Sequence, residues 1–482
     1  MLRSGIVGDL PSIDGQQNQP TIGATVGWAY EALTHYDDKM QPQGLLAESW
    51  DLSPDDKTIK FNLRKGVTFH DGREFTSDDV KYSINRLKDP RVAAIAGQLG
   101  PQAKWWTGVD PPDKYTVVFS SDQPRPGVFD FFQYSTIVDK NLMDGPDAKT
   151  KVNGTGPFKF VEWVSGDHVT MQKNPNYWQA GRPYIDGFKT SLLRDAQAMV
   201  SQLEAGALDL VDSPPILDLV RLKADPKYEA IVLISSGSFV VMVANASTPP
   251  TNDKQFRQGI NYAINRQRFT DTALKGIVSG GQDLPFPPQA AAYDASKNNR
   301  YAYDLNKAKS LIQSSGVAST DIDLTYSNTT FGDLNQTLAQ ILQADLASIG
   351  VKLRLEAVDF PTQIAVATKR TYSGLLLSSG SGANLNEMTS VLTRSRFYSN
   401  DPKNSFTGLD DPQYTQLINQ AAAEPDAAKR KALYGQIEDV VLDNSATMAI
   451  SIYPVTALAR SNVLGLTSDP GRTYSYLTAS LT

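Results

Sequence analysis

The positions of hydrophobic and polar residues along the chain follow two periods, one typical of strands and one typical of helices. Period-two alternation in "TIKFNLR" (58–64) predicts a strand. Val80, Ile84 and Leu87 share one face and predict a helix, which Thr76 or Ser77 can cap at its start. Strand and helix patterns of both kinds continue to the end of the chain, which predicts an α/β architecture.

Three further segments give specific expectations. "VGWAYEALTHYD" (26–37) is predicted to be helical. "QILQADLASIGVKLRLEAVD" (340–359) predicts a helix that stops at Gly350 and leads into a strand. In "LLLSSGSGANLNEM" (375–388), a leucine strand is predicted to end in a polar loop that starts at Ser378.

The length of the chain predicts more than one domain, because 482 residues exceed what a single hydrophobic core usually supports. The strand pattern "SFVVMVANA" (238–246) is followed by "STPPTND" (247–253), where prolines and polar residues precede a new helical series. We therefore expect two α/β lobes with a boundary near this strand.

Composition and charge exclude several classes of function. Hydrophobic residues make up 40% of the chain, which is enough for a folded core. The net charge is -6 and the lysines and arginines are scattered, so nucleic acid is not an expected partner. No apolar run approaches the roughly 20 residues that span a bilayer. The start, "MLRSGIVGDL" (1–10), lacks a charged and then apolar leader, so any signal sequence is expected to be removed or absent.

Residues typical of catalytic and metal sites are sparse. The chain has no cysteine, and its three histidines, His35, His70 and His168, show no paired spacing, so no metal site is predicted. Neither a nucleophile elbow nor a P-loop occurs, and "GTGPFK" (154–159) is predicted to be a turn before a strand. We predict no catalytic residue and no cofactor, and no motif favours an enzyme.

Five segments, in the expected order, resemble the family 5 extracellular solute-binding proteins, the dipeptide, oligopeptide and nickel group that serves ABC importers. The longest, "LAESWDLSPDDKTIKFNLRKGVTFHDGREFTSDDVKYSINRL", covers 46–87. The others cover 154–178, 256–269, 303–316 and 338–360. With the stretches between them, the resemblance extends over nearly the whole chain.

This resemblance implies an α/β, two-lobed periplasmic-binding-protein fold of type II, in the large cluster with an extra subdomain in the first lobe. The first lobe would comprise residues 1–238 plus 457–482, with the inserted subdomain at about 36–153. The second lobe would comprise residues 239–456. A ligand would be held in the cleft between the lobes when a hinge closes.

The resemblance also implies a binding role rather than catalysis. The partners would be a small-molecule ligand and the permease subunits of an ABC importer, and the chain would be a monomer without cofactor or membrane span. It would be periplasmic, or extracellular and lipid-anchored. A receptor module that signals to a membrane partner and an enzyme on the same scaffold are the alternatives from other classes.

The ligand expectation depends on the polar end of the leucine strand. In peptide-binding relatives, a Gly-Trp pair and then an Asp follow this strand, and the Asp binds the peptide's α-amino group. The resemblance aligns Ser379 with that tryptophan and Gly382 with that aspartate. Because a buried ammonium without an anion costs several kcal/mol, a sugar-like, opine-like or aromatic amide solute is favoured. A di- or oligopeptide bound through Glu387 or another acid is the alternative.

Candidate ligand-binding residues come from three places. Hydroxyl and amide groups after the leucine strand suit neutral ligands, and aromatic rings bind sugars and aromatic groups, although tryptophans more often belong to the core. The loop 17–23 matches a place where relatives contact ligand. The candidates are Gln19, Thr21, Trp28, Trp105, Trp106, Phe239, Ser378, Ser379, Gly380, Ser381, Gly382, Asn384 and Asn386.

Overall fold

The computed structural model gives the structure of most of the chain. The residues it describes are 1–17, 19–37, 39–97, 99–234, 238–278, 280–286, 288, 290, 293–329, 332–381, 388, 395–399, 401–469 and 473–482.

Strands and helices alternate along the described chain. The strands are Leu2–Val7 (β1), Thr34–Tyr36 (β2), Pro42–Gly44 (β3), Ala47–Leu52 (β4), Thr58–Leu63 (β5), Gly108–Asp113 (β6), Thr116–Ser120 (β7), Phe158–Val164 (β8), His168–Lys173 (β9), Gly187–Leu193 (β10), Leu210–Asp212 (β11), Tyr228–Leu233 (β12), Ser238–Ala244 (β13), Asp321–Ser327 (β14), Lys352–Val358 (β15), Gly374–Ser381 (β16), Thr447–Ile452 (β17), Val455–Arg460 (β18), Val463–Leu464 (β19), Thr467–Asp469 (β20), Thr473–Ser475 (β21) and Ser480–Leu481 (β22). The α-helices are Pro20–Gly23 (α1), Ser77–Arg86 (α2), Pro90–Ile95 (α3), Leu99–Ala103 (α4), Val128–Phe132 (α5), Lys140–Met143 (α6), Ala196–Glu204 (α7), Ile216–Lys223 (α8), Lys254–Ala263 (α9), Arg266–Thr272 (α10), Leu305–Ser315 (α11), Gly332–Ala347 (α12), Phe360–Lys369 (α13), Pro412–Ala423 (α14) and Ala427–Asn444 (α15).

The chain divides into two units. The first unit comprises Met1–Leu233 and Val455–Thr482, and the second comprises Ile234–Pro454. The chain leaves the first unit between β12 and β13 and returns to it between β17 and β18. The chain therefore passes from the first unit to the second and back again.

The larger sheet of the first unit has the strand order β12-β18-β11-β1-β10-β9-β8. Strand β1 is parallel to both of its neighbours, with Leu2 opposite Phe188 in β10 and Ser4 opposite Leu210 in β11. Strand β12 shares this direction, because β12 and β11 both pair antiparallel with β18. The carboxyl ends of β1, β10, β11 and β12 therefore meet at one edge of the sheet, which we call the first-unit edge.

A second sheet of the first unit, β4-β5-β7-β6, has a core of its own. Phe61, Phe119 and Phe132 pack edge to face, with ring centroids 4.7 to 5.9 Å apart, and Trp106 stacks on Phe132 at 5.4 Å. Helix α2 packs beside this sheet and begins as predicted, with the Asp79 carboxylate accepting a hydrogen bond of 3.0 Å from the Thr76 amide. These elements fall within the range expected for the inserted subdomain, whose limits remain a prediction.

The sheet of the second unit, β15-β14-β16-β13-β17, is covered on both faces. In β13, Phe239, Val241 and Val243 belong to one hydrophobic cluster, whereas Val240 and Met242 belong to the other. A strand buried on both faces has a continuous apolar sequence instead of alternation, which explains the run "FVVMVA". Strand β13 is antiparallel to β16 and β17, and β14 and β15 run parallel to β16.

The predicted helix over 26–37 is wrong. Val26–Ala29 forms one turn of 3-10 helix and Thr34–Tyr36 forms a strand. The cause is the side chain of Glu31, which would face solvent on an amphipathic helix but is buried here. Its carboxylate accepts hydrogen bonds from Thr155 at 2.8 Å and from Tyr177 at 2.8 Å, contacts that fix the local backbone from far along the chain.

Glu438 on α15 gives the second unit a specific dependence on pH. The side chain is buried, and its Oε1 has no hydrogen-bond partner among the described residues. Burial raises the pKa of Glu438 to about 8, with a smaller opposing effect of Lys297. Between about pH 4.5 and about pH 8, the folded chain keeps a proton that the unfolded chain has released, so the free energy of unfolding falls as pH rises.

The substitution Glu438→Gln should remove this dependence. We expect the free energy of unfolding of the variant, relative to that of the wild type, to increase as pH rises from 5 to 8. The increase should be no more than about 1.4 kcal/mol for each pH unit. Urea unfolding at several pH values measures the effect, with the exposed Glu356→Gln as a matched control in the same unit. A stability difference that is independent of pH would contradict the assignment.

Candidate functional site

The polar end of β16 lies at one edge of the second-unit sheet. Strands β14, β15, β16 and β17 run in the same direction, so their carboxyl ends share this edge, which we call the second-unit edge. In open α/β sheets, ligands bind outside the carboxyl ends of the strands. The second-unit edge is therefore a candidate ligand-binding surface.

The predicted loop after Leu377 is wrong for residues 378–381, which continue strand β16. Ser378 lies opposite Val241, Ser379 opposite Val240, and Ser381 opposite Ser238. The strand continues through polar residues because β13 offers backbone partners as far as Ser238. The other candidates of this segment, Gly382, Asn384 and Asn386, and the alternative acid Glu387, lie outside the described residues.

Ser378 and Ser379 face opposite sides of the sheet, because side chains alternate along a strand. Ser378 is buried and Ser379 is half-buried. Helix α13 contacts strand β16 through Gln363, whose side-chain amide donates a hydrogen bond of 2.7 Å to the Leu377 carbonyl. A second amide, that of Asn335 on α12, donates to the Ser327 carbonyl at the end of β14 at 3.1 Å. Two helices thus fix the strand ends from which this edge is built.

The first-unit edge carries Gln19 and Thr21, in the segment 8–25 that follows β1 and that we call the β1 loop. Gly8 has φ +102°, and a Cβ there would lie 3.7 Å from the Thr21 methyl carbon, so Thr21 packs beside the end of β1. Thr21 is half-buried and Gln19 is exposed. Thr21 is therefore placed at the carboxyl edge of this sheet, and Gln19 lies two residues before it in the same loop.

Asp9 ties the β1 loop to the hairpin of β8 and β9. Its carboxylate accepts hydrogen bonds from the Trp163 indole at 2.9 Å, the Ser165 hydroxyl at 2.6 Å and the Gly166 amide at 2.9 Å, as well as from the Leu10 amide. Desolvation raises the pKa of Asp9, but these hydrogen bonds outweigh it, so the net shift of the pKa is downward. The carboxylate is consequently ionised wherever the protein is folded near neutral pH.

Asp212 is a polar residue at the first-unit edge that sequence reasoning missed. It is the last residue of β11, is half-buried, and accepts a hydrogen bond of 2.7 Å from the Ser213 hydroxyl. Burial raises the pKa of Asp212 to about 6, against the lowering effect of hydrogen bonds from Ser213 and Tyr474. The only signal in the sequence is an acid between a predicted strand and the turn "SPP".

The aromatic candidates lie mostly inside the cores of the two units. Trp28 is 3% exposed and packs on Phe158 and Tyr476. Trp106 and Phe239 are each 2% exposed and are surrounded by other aromatic rings. Such burial matches the alternative that these rings are core residues. The remaining candidate, Trp105, is half-buried, with the guanidinium of Arg125 4.9 Å from its ring centroid.

Two of the three histidines, His70 and His168, have structural surroundings, and His35 is exposed on β2. Burial lowers the pKa of His70 to about 4, and its Nε2 lies 3.0 Å from the Gly156 carbonyl oxygen. His168 is buried between Glu162 and Asp167, with ring nitrogens 3.1 and 2.8 Å from the two carboxylates, and not at the exposed position that its hairpin suggests. Among the residues that the structure describes, no group of three or more potential ligands could hold a metal ion.

No helix within the described part of the chain combines the length and the apolar character needed to cross a bilayer.

Two α/β units joined by two passes of the chain, each with polar groups at the carboxyl edge of its sheet, define a periplasmic binding protein. The family model for bacterial extracellular solute-binding proteins, family 5 Middle, matches residues 41–405, and the chain belongs to this family. The resemblance of the five sequence segments and the expected α/β fold class are thereby confirmed.

Relatives with named ligands share about a quarter of their residues with this chain. Heme-binding protein A of Haemophilus influenzae is 28% identical over 83% of this chain and 77% of its own length. The dipeptide-binding protein of Escherichia coli is 25% identical over 88% of this chain and 83% of its own length. Two relatives that are named for different ligands are thus almost equally similar in sequence to this chain.

Solved structures agree over the whole chain. The PBP AgaA of A. tumefaciens, in complex with agropinic acid, has a TM-score of 0.82 and 25% identity, and covers 100% of this chain and 98% of that one. The substrate binding protein CtaP of Listeria monocytogenes has a TM-score of 0.87 and 22% identity, with 99% of each chain covered. The second similarity shows the fold alone.

Membership of the family establishes the general role. The chain is a solute-binding protein of an ABC importer, a substrate-binding transport component and not an enzyme. The family acts in the periplasm or outside the cell. The prediction that the protein lacks catalytic activity is thereby confirmed, while the individual ligand-binding residues remain predictions.

The substitution Asp9→Ala tests whether the β1 loop depends on its tie to the hairpin. Because the loop loses four hydrogen bonds to one carboxylate, we expect faster amide hydrogen exchange in residues 8–25 and little change elsewhere. Exchange detected by mass spectrometry measures this, with Asp167→Ala as the control, since that carboxylate contacts His168. Unchanged exchange in the β1 loop would show that other contacts hold it.

Proposed function

We propose that the transported solute is a small organic molecule other than a simple peptide, such as a sugar-like, opine-like or aromatic amide compound. The observation that carries the proposal is the chemistry of the segment that begins in β16. Ser379 and Gly382 stand where the peptide-binding relatives are expected to have a tryptophan and an ammonium-binding aspartate.

The physical reason is the cost of burying a charge. The α-ammonium group of a peptide that is buried in a binding site needs a paired anion, and the loss of such a partner costs several kcal/mol. Serine hydroxyls donate and accept hydrogen bonds without charge, which suits hydroxyl or amide groups of a neutral ligand part. The half-buried Ser379 at the second-unit edge is the described residue best placed for this role.

The relatives support both this proposal and one alternative. The PBP AgaA, at 25% identity, was solved with agropinic acid, which is not a peptide, so the fold accommodates such solutes. The dipeptide-binding protein of Escherichia coli, also at 25% identity, supports a peptide ligand, which would then require Glu387 or another acid for its amine.

The remaining parts of the proposal rest on the family alone. Ligand capture would proceed by hinge closure of the two lobes, and the closed form would be recognised by the permease subunits of the importer. The protein would act as a monomer, either free in the periplasm or outside the cell on a lipid anchor.

A thermal-shift screen of solutes tests the ligand class. Sugars, amino-acid–sugar conjugates, opines, aromatic amides and di- and tripeptides are compared at equal concentration. We expect a non-peptide compound to raise the melting temperature most, because ligand at 100 times its dissociation constant adds about 2.7 kcal/mol of stability. Stabilisation by dipeptides alone would establish the peptide alternative.

The substitution Gly382→Asp tests the position of the missing acid. If this residue occupies the ammonium-binding place, the new carboxylate should allow binding of dialanine, which isothermal titration calorimetry can measure. Gly382→Ser is the matched control, because it adds a side chain without a charge. Dialanine binding that is equal in the aspartate and serine variants, or absent from both folded variants, would contradict the proposed alignment.

A further inference from the structure

The half-buried carboxylate of Asp212 has different surroundings from two buried aspartates that pair with arginine. Asp209, three residues earlier, accepts hydrogen bonds from the backbone amide and the guanidinium of Arg3, both at 2.9 Å. In the second unit, Asp345 lies 2.6 Å from Arg268. By contrast, no cation of the described residues lies within salt-bridge distance of Asp212, which accepts hydrogen bonds from the neutral hydroxyls of Ser213 and Tyr474.

Asp212 lies at the carboxyl edge of the larger sheet of the first unit. It ends β11, beside β1, whose residues Ser4 and Gly5 pair with the two preceding residues of β11. Strands β1 and β11 run parallel, so Asp212 stands at the first-unit edge with the β1 loop. Val7, at the end of β1, is 41% exposed. An acid and an exposed apolar side chain thus occur on neighbouring strand ends.

The backbone at this point is also fixed in an unusual conformation. Ser213 has φ +49°, in the left-handed region that serine rarely adopts, and its amide donates a hydrogen bond of 2.8 Å to the Thr456 carbonyl. Thr456 lies in β18, which also pairs with Asp212 through Ala457. The backbone of Asp212 is therefore fixed by two strands of the sheet, β11 and β18.

We propose that Asp212 is the anionic subsite for a cationic nitrogen of the transported solute, an ammonium or guanidinium group. The inference rests on the proposed function and narrows it: the solute is not a simple peptide, yet it carries a positive charge that the first unit recognises. A half-buried carboxylate without a counter-charge gains most from a cationic ligand, because the ligand supplies the missing partner. Burial, which raises the pKa of Asp212 to about 6, is consistent with a missing counter-charge.

Matched pairs of amines and their N-acetyl derivatives test this subsite. The probes are glucosamine and dialanine, each with its N-acetyl form, together with the neutral sugars and amides of the solute screen. Binding is measured by thermal shift and calorimetry at pH 7.5 on the full chain. We expect the free amine of at least one pair to bind the wild type and to bind Asp212→Asn at least about tenfold more weakly.

Asp186→Asn is the matched control, since it removes the same charge from an exposed residue at the opposite end of β10, and it should bind the amine like the wild type. Should Asp212→Asn fail to fold, Asp212→Ser provides a smaller neutral variant. The melting temperature of each variant without ligand separates loss of folding from loss of binding.

The outcomes distinguish the two proposals. If solutes bind the wild type and Asp212→Asn with equal affinity, or if N-acetylation has no effect, the cationic subsite is wrong while the proposed function stands. If the wild type binds no organic solute of the set, the proposed ligand class fails and the subsite fails with it. If amines bind only when Asp212 is present, and dialanine is not the preferred one, both stand. If dialanine is the preferred amine and needs Asp212, the subsite stands, but the solute is a peptide and the proposed ligand class is wrong.

Discussion

The second unit depends on the pairing of β13 with both β16 and β17. Each residue of this central strand has to satisfy its backbone hydrogen bonds on two sides while its side chains fill two hydrophobic clusters. A shift of one residue would exchange the side chains that face the two clusters, so the register is strongly determined. The same register pairs Ser381 of β16 with Ser238 of β13. The polar residues 378–381 therefore belong to the sheet.

Much of the fold follows from local sequence signals. The strand at 58–63 and the helix after Thr76 appear where alternation and capping predict them, and Gly350 takes the left-handed conformation expected of a helix stop. Local signals failed where a distant contact decides the structure. The helix pattern at 26–37 gives way to a 3-10 turn and a strand because Glu31 bonds to Thr155, and no periodicity contains that information.

The candidate site was less predictable than the fold for a related reason. Residue type alone does not show whether a tryptophan lies in a core or at a surface, and Trp28 and Trp106 prove to be packed among other rings. Asp212 resembles any acid before a proline turn, and its lack of a cationic neighbour among the described residues is visible only in three dimensions. Membership of the family does not determine the ligand, because similar proteins are named for heme or dipeptides or were solved with agropinic acid. The identity of the ligand therefore depends on particular side chains.

The hydrogen bonds that Asp9 accepts from the hairpin have a consequence for affinity. A loop that is ordered only when ligand arrives loses its conformational freedom during binding, and that loss weakens the complex. Here the carboxylate of Asp9 joins the β1 loop to Trp163, Ser165 and Gly166 through contacts within the protein itself. The entropy of ordering is lost when the protein folds, so preorganisation of this kind favours the binding of any solute that contacts the β1 loop.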